Sequence, residues 1–205
     1  LDTAHLTFLR WHREHVVDRF KLRIRRYGDH PAPTLYAEVK RKTGSIVRKH
    51  RAAFPADALQ AVLSGAPSTN VEGWACAREL GGRVLLDPAA IEEFMRHRSH
   101  CGAIPTMLVA CVRESLRDPR DGTAVTVDRE LRYQPSCRGD LIGDGGTWRP
   151  IPLPDASGPA AGLLELKYVL DPEPWMATLI EQLAPWRVSF SKYAAAMTAS
   201  APAAC

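Results

Sequence analysis

Three segments of this chain alternate charged and apolar side chains with a period of two: Lys21-Leu22-Arg23-Ile24-Arg25, Glu38-Val39-Lys40-Arg41-Lys42 and Leu164-Glu165-Leu166-Lys167-Tyr168. Successive side chains of a strand point to opposite faces, so Lys21, Arg23 and Arg25 share one side and Leu22 and Ile24 the other. Glu38, Lys40 and Lys42 line up in the same way, as do Glu165 and Lys167 opposite Leu164, Leu166 and Tyr168. A charged face on one strand is usually solvated. Charged faces on several strands, each backed by an apolar face, also suit a barrel with a polar lumen and packed outer walls. Arg and Lys with a few carboxylates suit a polyanion and its metal ions.

The charge is unevenly placed. Residues 1–51 hold 13 Lys/Arg against 5 Asp/Glu, a surplus of +8, and the remaining residues hold 14 against 18, or −4. The basic surplus coincides with the alternating segments, which favours an anionic partner. At 205 residues the chain is long enough for one substantial domain, with two small ones the less favoured alternative. We expect a single domain over residues 1–197 and a frayed tail over 198–205. Five cysteines (Cys76, Cys101, Cys111, Cys137, Cys205), an odd number without a C-x-x-C pair, read as reduced thiols in a cytoplasmic setting. No apolar run approaches the ~20 residues that cross a bilayer, and the first residues lack the layout of a signal peptide. Leu1-Asp2-Thr3 has no Met and reads as the middle of a strand-to-loop passage, which predicts a missing upstream piece.

Residues 6–26 begin with mixed apolar residues and end in the first alternating strand, stopped by Tyr27-Gly28-Asp29, with a turn at 30–33. Strands are predicted at 34–42 and 46–54, joined by Thr43-Gly44-Ser45. Helical spacing follows at 55–63 and 87–100, the second with Asp87 as N-cap and Pro88 at its first position. Strands are expected again at 104–116, 123–131 and 162–170, with a loop or a poorly ordered hairpin over 138–161. Pro172-Glu173-Pro174 opens a helix to about Leu183, and residues 189–197 form a short terminal one. Strands at both ends and helices between them predict an α+β domain on an antiparallel sheet.

Eight segments in order resemble the VTC domain, the polyphosphate polymerase domain of the vacuolar transporter chaperone family, within the CYTH-like triphosphate tunnel enzymes. They are Leu1-Asp2-Thr3, K-L-R-I-R-R-Y-G at 21–28, E-V-K-R-K at 38–42, V-R-K-H-R-A at 47–52, V-R-E-S at 112–115, T-V-D-R-E-L at 126–131, L-L-E-L-K-Y at 163–168 and F-S-K-Y at 190–193. The resemblance, to the bacterial type, implies an antiparallel β-barrel or tunnel with flanking helices, incomplete at its N-terminus. It implies transfer of the γ-phosphoryl group of ATP to a growing polyphosphate chain. The alternatives are a triphosphatase of the same fold and a non-catalytic polyphosphate- or nucleotide-binding module.

By the same resemblance Arg23, Arg25, Lys42, Arg113 and Lys192 act on the transferring phosphoryl group. Lys21, Glu38, Lys40, Lys49, Arg51, Lys167 and Ser191 line the substrate path. Glu165 takes the divalent metal, manganese or magnesium. Asp128 is a second metal candidate from its strand face, with a turn or ion-pair role as the equal alternative. ATP and polyphosphate are the partners, and a membrane protein is a further one by family analogy. Two positions depart from the family pattern: Ala124 stands where an arginine is usual, and Cys111 where a tyrosine is.

Such chemistry needs little covalent work from the protein; positioning and charge stabilisation carry it. For each charged strand the alternative is a solvated face or a cross-strand ion-pair ladder. His97-Arg98-Ser99-His100-Cys101 has no second ligand pair for zinc. Gly143-Asp144-Gly145-Gly146 lacks the Lys-Ser/Thr of a phosphate-binding loop. The five Trp are scattered without basic interleaving, so no nucleic-acid partner is expected.

Overall fold

The computed structural model describes residues 1–28, 34–44, 46–64, 76–80, 83–86, 89–136, 146–154, 162–168 and 171–200, with the backbone alone for 76–80 and 83–86. The chain divides into two compact units, Leu1–Thr106 and Met107–Cys205. Both are mixtures of helix and antiparallel sheet, so the α+β expectation holds. Among the described residues the strands form two open sheets and no closed barrel.

In the first unit, helix α1 (Thr7–Arg13) leads to strands β1 (Arg19–Arg25), β2 (Thr34–Thr43) and β3 (Ile46–Pro55). Helix α2 (Leu59–Ser64), strands β4 (Cys76–Leu80) and β5 (Arg83–Leu86) and helix α3 (Ala90–Cys101) follow. The strands pair antiparallel in the order β1-β2-β3-β4-β5. One face of the sheet is apolar: Leu22, Ala37, Val39, Ala52 and Phe54 pack with Phe8 of α1, Val62 of α2 and Ile91 and Phe94 of α3. Ile91 and Phe94 are fully buried, and each such side chain contributes about 1.5–3 kcal/mol through burial. Glu92 and Glu93 in the first turn of α3 and Arg98 and His100 in its last complement the helix dipole. The helix stops at Gly102, whose φ of 59° is left-handed.

Asp2 gives the Leu-Asp-Thr opening a structural role. Its buried carboxylate accepts hydrogen bonds from the backbone N–H groups of Phe8 (2.8 Å) and Leu9 (2.9 Å), satisfying donors in the first turn of α1. Asp2 also bridges to Ile104.

In the second unit, β6 (Met107–Arg117) pairs with the long β7 (Ala124–Pro135), whose other edge carries β8 (Arg149–Pro150) and β9 (Leu163–Lys167). Helices α4 (Pro174–Gln182) and α5 (Lys192–Ser200) complete it. The β6–β7 register shifts between Ala110 and Val112, so that Glu130 and Leu131 stand opposite Cys111, and Glu130 has φ 50°. This bulge changes the parity of β7. Ala124, Thr126 and Asp128 are buried on one face before it, and Leu131 and Tyr133 on the same face after it. Beyond the bulge that face is apolar, where Leu131 and Tyr133 pack with Ile151 and with Ala196 of α5.

Several boundaries differ from the sequence expectation. α1, β4 and β5 are additional elements, although Gly81-Gly82 between β4 and β5 is a two-residue hairpin signal. β7 continues to Pro135 instead of ending at 131, because the bulge hides its alternation. α5 begins at Lys192 and runs through Ser200, so residues 198–200 are helical and not part of a frayed tail. The Asp87-Pro88 cap, the turn at 30–33, residues 201–205 and most of the loop at 138–161 lie outside the described residues. No helix among the described residues is long and apolar enough to cross a membrane.

Candidate functional site

The face of the first sheet opposite its core carries Arg19, Lys21, Arg23 and Arg25 on β1. In register beside them stand Lys42, Lys40, Glu38 and Tyr36 on β2, then Lys49 and Arg51 on β3. All eight candidate residues expected in this unit therefore share one face. The single acid among them is Glu38, which is 1% exposed while its partners Arg23 and Arg51 are 49% and 31% exposed. Arg23 Nε donates to Glu38 Oε2, and Arg51 Nε donates to Oε1 at 2.8 Å, with its Nη2 in ion-pair contact with the same oxygen at 2.7 Å. Burial alone would raise the Glu38 pKa, but Arg23 and Arg25, with the hydrogen bond from Arg23, outweigh it and hold the group below the usual carboxylate range. The acid anchors two guanidinium groups from beneath, and each guanidinium has five N–H donors, more than Glu38 can engage.

Lys21 titrates well below an ordinary lysine. Burial, and then the charges of Arg19, Lys40 and Arg23, bring its pKa down to about 8. An anion laid on this face favours the charged ammonium, so binding near pH 8 takes up a proton. We expect uptake approaching ~0.5 proton per ligand at pH 8 and weaker anion affinity as pH rises from 7 to 9. Titration calorimetry of tripolyphosphate in two buffers of different ionisation heat measures it; a heat independent of buffer removes Lys21 from the site.

The second unit repeats the device. Asp128 of β7 is fully buried and lies directly opposite Arg113 of β6. Arg113 binds it through two bonds, Nε to Oδ1 at 2.6 Å and Nη2 to Oδ2 at 2.7 Å. Lys192, the first residue of α5, reaches Oδ2 at 2.5 Å. Burial pushes the Asp128 pKa up, yet the hydrogen bonds from Arg113 and Lys192 prevail and set it at about 2. Ser115 and Thr126 share a hydrogen bond at 3.2 Å on the same face. Glu165 pairs in register with Thr126, and Lys167 with Ala124, which stands also opposite Arg117. Thus Ala124 has cationic register partners on both neighbouring strands. Cys111 also faces Asp128, and its thiol is pushed up by burial and by that carboxylate. Ser191 Oγ accepts from the N–H of Ala194 at 3.4 Å, at the start of α5.

The two proposed metal ligands differ in chemistry. Both oxygens of Asp128 are engaged by Arg113 and Lys192, the ion-pair role weighed for it in the sequence. Glu165 is about half exposed, and its nearest cation, Lys167 Nζ, is 3.4 Å away. One half-exposed carboxylate beside Lys and Arg side chains fits the donor set that Mg²⁺ or Mn²⁺ uses when phosphates supply the further oxygens. No cluster of three His, Cys, Asp or Glu poised for a metal occurs among the described residues. His97 bonds Glu93 at 2.8 Å and packs on the Phe20 ring, a structural role.

Each unit thus places arginines and lysines over one buried acid on the polar face of an antiparallel sheet, within an α+β protein. Residues 1–201 match the VTC domain family model, so the chain belongs to the VTC family, which is associated with polyphosphate polymerase and kinase activity. No curated protein matches the chain.

Proposed function

We propose that this chain is a polyphosphate polymerase, transferring the γ-phosphoryl group of ATP onto a growing polyphosphate chain held along a basic tunnel. The observation that carries the reading is the first sheet's polar face, on which cations from three adjacent strands surround Glu38. Family membership supplies the substrate class. Phosphoryl transfer gains mainly from charges fixed before the reaction begins, because little reorganisation then remains. Arginines anchored to Glu38 and Asp128 meet that requirement, while the lysines hold a polymer as point charges without the fixed fork that would resist sliding. Glu165 would hold a divalent metal, which would supply charge neutralisation at the phosphoryl oxygens. Arg113 and Lys192 orient the same group, and Lys167 balances Glu165 between turnovers.

Incubation with ATP and Mn²⁺ or Mg²⁺, with products resolved on a gel, tests the reading. A polyphosphate ladder with matching ADP supports it. Orthophosphate without a ladder identifies a triphosphatase, and polyphosphate binding without turnover a non-catalytic module. Glu165→Ala should lower metal-dependent turnover on the order of 10²-fold, with metal-free tripolyphosphate affinity changed by less than about twofold. Normal turnover in that variant would remove the metal from Glu165.

A further inference from the structure

The cationic face of the first sheet is not uniform along its length: at the Arg25 end it turns aromatic. Tyr27 lies two residues beyond Arg25, where β1 ends, and Tyr36 is the register partner of Arg25. The two rings meet edge to face, with centroids 5.4 Å apart and planes at 73°. Arg25 lies over the Tyr27 ring at 5.4 Å and Arg51 over the Tyr36 ring at 5.3 Å. The Tyr27 hydroxyl is already engaged, accepting from Arg25 Nη1 at 2.7 Å and Arg51 Nη2 at 3.4 Å. Yet Tyr27 remains 49% exposed, so much of what it offers to a ligand is ring surface. Gly28 then turns the chain away with φ 84°, where an added Cβ would meet no atom within 4 Å; the backbone angle, not crowding, favours glycine.

A row of cations ending in a half-exposed aromatic ring complements an anion that carries a planar group at one end. Polyphosphate has no such group; a nucleotide has. We propose that Tyr27, backed by Tyr36, is the nucleobase platform of this face. It orients a nucleoside triphosphate with its base at the Arg25 end and its phosphates toward Lys21, Lys40 and Lys49. The inference rests on the ATP-dependent reading above and adds the direction of the nucleotide and the residue that tells it from a bare phosphate chain. Base stacking on an aromatic tolerates different bases, because every base has a π-face, so discrimination falls between nucleotide and polyphosphate more than among nucleotides.

The test compares the affinities of ATP and inorganic tripolyphosphate, both without divalent metal, for the wild-type chain, Tyr27→Leu and Tyr27→Phe. Tyr27→Leu should weaken ATP about tenfold relative to tripolyphosphate. Tyr27→Phe keeps the ring and should retain the wild-type ratio of the two affinities, even where loss of the hydroxyl loosens Arg25 and weakens both. The ratio is internal to each variant, so a general loss of folded protein or of the anion site does not imitate the effect. An unchanged ratio in Tyr27→Leu overturns the platform and leaves the polyanion reading standing. A wild-type chain that binds neither probe overturns both.

Discussion

Glu38→Gln is expected to cost about 2–4 kcal/mol of stability, and tripolyphosphate is expected to restore much of it. Removing one partner of a buried ion pair typically costs 3–5 kcal/mol, lowered here because Arg23 is half exposed and keeps access to water. The variant leaves Lys21, Arg23, Arg25, Lys40, Lys49 and Arg51 on one face without their acid. Two effects then act on anion binding. Losing the anchor frees two arginines, at about 0.5–1.5 kcal/mol for each side chain that the ligand must order again. Losing the negative charge removes a repulsion of about 3 kcal/mol, taking unit charges ~6 Å apart at an effective dielectric of ~20. The second effect is the larger, so tripolyphosphate should bind the variant more tightly and raise its melting temperature further than that of the wild type. Thermal unfolding with and without saturating tripolyphosphate measures both. A variant as stable as the wild type would mean that Glu38 anchors nothing, and instability that tripolyphosphate leaves untouched would place the anion elsewhere than Arg23 and Arg51.

The faces were legible in sequence and their internal pairing was not, for a physical reason. Period-two alternation assigns a face to every residue of β1 and β2 without knowledge of what lies beside them, and Lys21, Arg23, Arg25, Glu38, Lys40 and Lys42 all fall where that rule puts them. Which acid meets which cation depends on register. Arg23 lies opposite Glu38 and Arg113 opposite Asp128 only because the hairpins close as they do. Lys192 reaches Asp128 through the packing of α5, which no local pattern encodes. From its face alone Asp128 could be read equally as a metal ligand or as an ion-pair partner, and the register supplies the ion pairs. The bulge at Glu130 defeats the same rule from the other side, since one extra residue inverts the parity and makes a continuous strand look finished. Tyr27 was visible only as the residue before a turn; its partners Arg51 and Tyr36 come from other strands. Helix α1 is capped by Asp2 from beyond the usual N-cap spacing, so its start carries no local signal.

The second unit should show the same dependence on one acid, read through pH. The Asp128 pKa is depressed to about 2 from an ordinary value of 3.8. For a depressed carboxylate the unfolded chain binds more protons than the folded one between these values. Its contribution is therefore full above about pH 4 and is lost as pH falls through 2. The shift corresponds to stability on the order of 2 kcal/mol. Asp128→Asn keeps the volume and abolishes the titration, leaving Arg113 and Lys192 to repel each other without their shared carboxylate. Both cations keep some contact with water, with 31% and 22% of their side-chain surfaces exposed, so we expect a loss of about 2–3 kcal/mol at neutral pH instead of the full 3–5 of a closed pair. Denaturant unfolding of wild type and variant at pH 7, 4 and 2 separates these effects. The difference between the two proteins should hold from pH 7 to 4 and narrow by pH 2, where the wild-type carboxylate is itself taking up a proton. A difference that stays constant down to pH 2 would show that Asp128 supports the fold through shape alone and that the ion pairs with Arg113 and Lys192 contribute nothing.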